Sequence, residues 1–140
     1  MAYEGDIMLQ CESAAFDFRN AYAVVVSGDG PNFCGHLILN TGGVGGMYFH
    51  VAGAHTFPRK MTEAGYRQYL KQSDKKELKR FSVTISNTSG AMLKLEELLA
   101  GKWTWGVLPH NCASFVEEIV QAGGSGAGLY SNCPALEDFE

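Results

Sequence analysis

Two short runs of alternating side chains, Cys34 to Asn40 and Met47 to Val51, flank the segment Thr41-Gly42-Gly43-Val44-Gly45-Gly46. The glycines of that segment reach the positive φ angles a tight reversal needs, so the runs are predicted to pair as an antiparallel hairpin. Side chains alternate faces along a strand. Leu37 and Leu39, with Met47, Phe49 and Val51 across the hairpin, form a uniformly apolar face that has to be buried. His36, Ile38 and Asn40, with Tyr48 and His50, form the more polar one. A register that brings His36 level with His50 sets the two imidazoles side by side.

Further strands are predicted at Ile7-Met8-Leu9, at Ala21 to Ser27 before the turn Gly28-Asp29-Gly30-Pro31, and at Phe81 to Ser86. Trp103 to Leu108, ended by Pro109, reads as another. Helical patterns run from Thr62 to Gln72, from Ala91 to Ala100 and from Cys112 to Ala122. Thr62 is an N-cap for the first, with Ala64, Tyr69 and Leu70 as its apolar side. Gly101 ends the second and Gly123-Gly124 the third. The charged stretch Ser73 to Arg80 reads as solvated surface. Strands first and helices later imply an α+β fold, a mostly antiparallel sheet packed against helices, with residues 1–140 as a single domain.

At 46 % hydrophobic residues the chain can build a core without disulfides, and its charge of −4 argues against unaided binding to nucleic acid or anionic lipid. No apolar run approaches the roughly 18 residues of a membrane span, so no integral membrane segment is expected. The opening Met1-Ala2-Tyr3-Glu4-Gly5-Asp6 lacks the basic start and apolar stretch of a cleavable secretory signal, which implies synthesis in the cytoplasm without one. Cys11, Cys34, Cys112 and Cys133 show neither a CxxC pair nor zinc-finger spacing.

The chemistry is carried by Leu108-Pro109-His110-Asn111-Cys112-Ala113-Ser114-Phe115-Val116. Asn111 is a favoured N-cap, which puts Cys112 in the first helical turn. Phe115, Val116, Ile119 and Val120 follow at spacings that set the thiol on the buried face. A helix N-terminus favours thiolate over thiol, and its free N–H groups can bind an oxyanion. A buried structural cysteine is the other reading of Cys112. His36 and His50 on one hairpin face favour the first, because thiol, base and orienting residue are the parts of an activated nucleophile.

Gly35-His36-Leu37-Ile38-Leu39, Tyr48-Phe49-His50-Val51-Ala52 and Asn111-Cys112-Ala113-Ser114-Phe115-Val116 stand in an order that resembles the NlpC-type papain-like cysteine hydrolases. The likeness is to their circularly permuted branch, in which the histidine strands precede the cysteine helix, as in lecithin–retinol acyltransferase-like proteins. Gly5-Asp6-Ile7-Met8 resembles the family's first strand. The resemblance implies a permuted papain-like NlpC fold, with Cys112 as nucleophile, His36 as general base and His50 orienting His36. No cofactor and no metal are implied. A zinc site from His36, His50 and Cys112 lacks the short ligand spacings of common zinc motifs. Tyr48, Trp103 and Trp105 are candidates to line a substrate groove, with a core role as their alternative. His55 and His110 read as surface residues, and Cys34 as a buried neighbour of His36.

Among activities in that family, cleavage of amide bonds in bacterial peptidoglycan stem peptides ranks first. A small member without a signal looks like an amidase effector delivered by a type VI secretion system into a rival's periplasm, which implies a cognate immunity protein. The alternatives are a lipid acyltransferase or thioesterase, with Leu93, Leu95, Leu98 and Leu99 as an apolar helix face, and a non-catalytic binding domain. Hydrolysis of an amide in a protein partner is a further one.

Overall fold

A computed structural model describes residues 3, 5–7, 18–27, 35–42, 46–51, 59–99, 112–126 and 128. It shows an α+β fold in which six strands form one antiparallel sheet. In chain order the elements are β1 (Asp6–Ile7), β2 (Ala21–Val26), β3 (His36–Thr41), β4 (Met47–His50), β5 (Arg59–Met61), α1 (Glu63–Gln72), β6 (Glu77–Val83), α2 (Thr88–Leu99) and α3 (Cys112–Ala122). Across the sheet the order is β1-β5-β4-β3-β2-β6. The predicted hairpin is β3–β4 at the sheet centre, with Leu39 opposite Phe49 and Thr41 opposite Met47.

Both faces of the sheet are covered. Ala23, Val25, Leu37, Leu39, Phe49 and Val51 point to one side, where they pack against Ala91 and Leu95 of α2 and against Phe115, Val116, Ile119 and Val120 of α3. Val24, Val26, Ile38, Tyr48 and Met61 point to the other, against Tyr66 and Tyr69 of α1. The runs Val24-Val25-Val26 and Leu37-Ile38-Leu39 are apolar at every position because each residue of these strands meets a core. Of the leucines on α2, Leu95 is buried and Leu98 packs against the core, whereas Leu93 is 61 % exposed.

Local chemistry explains the helix ends. The Thr62 side chain accepts from Gly65 N at 3.0 Å, as an N-cap does. Tyr66 and Tyr69 form the buried side of α1, and Ala64, expected there, is exposed. At its C-terminus Lys75 N donates to Leu70 O at 2.8 Å and Asp74 N to Lys71 O at 3.4 Å, with Asp74 at φ 52°. This is a Schellman arrangement. At the end of α3, Ser125 N donates to Val120 O and Gly124 N to Gln121 O, both at 3.0 Å, with Gly124 at φ 92°. The helix stop predicted at Gly123-Gly124 therefore has the same geometry.

Three expectations need correction. The second helix begins at Thr88 rather than Ala91, because Asn87 caps it by accepting from Gly90 N at 3.0 Å. The charged stretch is not solvated surface throughout: Glu77 starts β6, which ends at Val83 rather than Ser86. That strand pairs with β2 through a register shift between Val25 and Val26. Leu78 lies at this bulge and is 48 % exposed, an irregularity suited to an edge strand. β5 was not anticipated at all. Met8 and Leu9, the turn at 28–31 and the strand expected at Trp103 to Leu108 lie outside the described residues.

Candidate active site

The hairpin brings His36 and His50 together. His36 Nε2 and His50 Nδ1 are 2.8 Å apart, and the rings meet edge to face at 5.0 Å. They are not level. The observed register sets Ile38 opposite His50, so the imidazoles meet on the diagonal. Diagonal neighbours on an antiparallel pair stand roughly 7–8 Å apart at the backbone, a gap two imidazoles can span. The Tyr69 ring of α1 sits edge-on to His50 at 5.3 Å and shelters it from solvent. His36 is the first residue of β3, and the chain enters it through Gly35 at φ 78°, a conformation that favours glycine.

Burial, with smaller contributions from His50 and Lys75, holds the His36 pKa well below the ordinary histidine value. His36 is therefore neutral at pH 7, as a proton acceptor must be. The consequence for stability has a definite sign. Below about pH 6.5 the unfolded chain takes up a proton at this position before the folded one does, so acidification favours unfolding. Urea titrations are expected to show stability falling as pH drops from about 6.5 toward the folded-state pKa, with a shallower fall in His36→Gln. Equal slopes in both proteins would contradict a low His36 pKa.

α3 begins at Cys112, where the sequence pattern started it, and its apolar stripe is buried; Asn111, its expected N-cap, lies outside the described residues. The Cys112 side chain lies outside the described residues. The stripe packs on the Leu37 and Leu39 side of the sheet, whereas the histidines lie on the α1 side.

Tyr48, expected to line a groove, is wholly buried and has no surface to offer a substrate. Its ring stacks on Tyr66 at 4.1 Å. Its hydroxyl donates to Glu63 Oε1 at 2.8 Å and accepts from Arg80 Nη2 at 3.0 Å. Arg80 also holds Glu77 at 2.8 Å, and the Tyr66 hydroxyl donates to the same Glu77 oxygen at 2.7 Å. Burial works against the Glu77 carboxylate, but Arg80 and Tyr66 outweigh it and hold its pKa below the usual value. This network joins α1 to β4 and β6. Sequence reasoning missed it because charged residues in a run read as solvated, and nothing local shows that Glu77 and Arg80 neutralise each other. Trp103, Trp105, His55, His110, Cys11, Cys34 and Cys133 lie outside the described residues.

Comparison with protein-family models, with characterised proteins and with solved structures finds no match. Among the described residues no group of three His, Cys, Asp or Glu side chains converges as a metal site would require, and no helix is long and apolar enough to cross a membrane.

Proposed function

We propose that this chain is a cysteine hydrolase with a permuted papain-like NlpC fold, cutting amide bonds in bacterial peptidoglycan stem peptides through a thioacyl enzyme. The observation that carries the reading is the 2.8 Å contact between His36 and His50 at the head of β3. In that pair one imidazole serves as base while the other orients it.

In this reading the Cys112 thiolate attacks the amide carbonyl and the backbone N–H groups at the start of α3 hold the oxyanion. His36 takes the thiol proton and passes it to the leaving amine. Water, deprotonated by His36, then hydrolyses the thioester and frees Cys112. When His36 carries the extra proton both its ring nitrogens donate, so His50 Nδ1 must be an acceptor and His50 keeps its own proton on Nε2. The site is proposed to work in the periplasm of a target cell after delivery by a type VI secretion system, with a cognate immunity protein protecting the producer.

The test is digestion of purified sacculi by the native protein and by Cys112→Ala, with products resolved by mass spectrometry. New stem-peptide fragments from the native protein alone are expected, and their masses locate the scissile bond. Intact sacculi with a Cys112 that still alkylates rapidly near neutral pH would retire peptidoglycan as substrate and keep the nucleophile.

A further inference from the structure

β5 sets an arginine beside the histidine pair. Arg59 stands directly opposite His50 in the β4–β5 register. Cross-strand partners carry their side chains on the same face, roughly 4.5–5.5 Å apart at Cβ. Met61, two residues further along β5, is buried on the α1 side of the sheet, so alternation sets Arg59 on that side too. There the His50 ring meets Tyr69, and His36 Nε2 lies 2.8 Å from His50 Nδ1. A guanidinium and two imidazoles therefore share one stretch of one face.

The guanidinium is held but not neutralised. Its Nη1 donates to Gly5 O at 2.9 Å. Gly5 is at φ 104°, and a Cβ there would stand 2.9 Å from Lys60 O and 3.1 Å from Arg59 Cβ, so only glycine lets the chain before β1 lie this close to β5. Arg59 Nε is buried and has no hydrogen-bond partner. Arg67 faces Glu63, Arg80 pairs with Glu77 and Lys94 with Glu97, but among the described residues no carboxylate pairs with Arg59. An unsatisfied buried donor on a charged group is costly, and a folded protein that keeps one has a reason for it.

We propose that the Nε–Nη2 edge of Arg59 binds an oxyanion group of a ligand, a carboxylate or a phosphate, beside the His36–His50 pair. In a guanidinium, Nε–H and one Nη2–H lie parallel on one edge, the fork that takes two oxygens of such a group. Nη1 is the nitrogen engaged by Gly5, so this edge is the one left to a ligand. Arg59 as a whole is only partly buried, which lets an anion reach that edge from solvent. The inference uses described residues alone and holds whether or not Cys112 reacts at this site.

Acetate and inorganic phosphate are the probes, titrated into isotope-labelled native protein while the arginine Nε–H resonances are followed by NMR. The Arg59 resonance is assigned by correlation through its own side chain. It is expected to move and saturate at anion concentrations about tenfold lower than those that move Arg67, whose side chain is 77 % exposed. Tighter binding of acetate assigns the site to a carboxylate, and tighter binding of phosphate to a phosphate ester. Arg59→Met should abolish the rise in melting temperature that the anion gives the native protein. Arg59→Lys should keep only part of it, because an ammonium holds the charge without the fork, and Arg67→Met should keep all of it. Cys112→Ala should bind as the native protein does, so inactivity toward sacculi leaves this site standing. An Arg59 Nε–H that moves with neither anion before Arg67 does overturns the proposal and leaves a buried water as its acceptor.

Discussion

Replacing His36 by alanine is expected to lower kcat/KM on peptidoglycan fragments by about 10²–10⁴, the usual contribution of a positioned general base. The loss should fall on kcat, since a base acts in the transition state and adds little to substrate binding. Added imidazole should recover part of the rate in His36→Ala, which a merely misfolded variant would not allow. In the proposed mechanism His50→Ala should cost less, because His50 there only orients His36, whose Nε2 lies 2.8 Å from His50 Nδ1. The acid limb of the native pH–rate profile should lie below the ordinary histidine range, following the lowered His36 pKa. A His36→Ala enzyme within about threefold of the native rate would remove His36 from the reaction, because no general base is worth so little.

Phe115→Ala is expected to lower the unfolding free energy by about 3–5 kcal/mol, as removal of a buried aromatic ring usually does. Phe115 is fully buried on α3, one helical turn after Cys112, and packs into the core formed with Leu37, Leu39 and Phe49. The cavity would sit where α3 meets the histidine hairpin. Its effect on the proposed chemistry should therefore exceed that of an equal cavity under α1. Phe115→Leu, which refills much of the volume, should return most of the stability. Urea unfolding measures the first effect, and the alkylation rate of Cys112 in the folded variant measures the second. A loss below about 1 kcal/mol would mean that α3 is not seated on the sheet as described.

The legible parts of this protein are those written in local patterns. Glycines between alternating runs implied the β3–β4 hairpin, and alternation separated Leu37, Leu39 and Phe49 from His36, Ile38 and His50. Thr62 and Gly124 marked helix ends through hydrogen bonds that reach no more than a few residues along the chain. The missed parts depend on partners far away in sequence. β5 is Arg59-Lys60-Met61, too short and too polar to show a period, and it is a strand because β4 and β1 lie on either side of it. The Glu77–Arg80 pair joins a network with Tyr48 and Tyr66 that no window of sequence contains.

By itself the sequence determined an antiparallel α+β fold, the two histidines on one hairpin face and a helix beginning at Cys112. Tertiary structure alone decided that the imidazoles meet on the diagonal, that Tyr69 of α1 covers His50 and that α3 packs on the opposite side of the sheet. The division has one physical cause. Turns, caps and side-chain alternation are set by the dihedral angles and hydrogen bonds of near neighbours. Register and the choice of covering helix are set by burying apolar faces that only the assembled chain brings together.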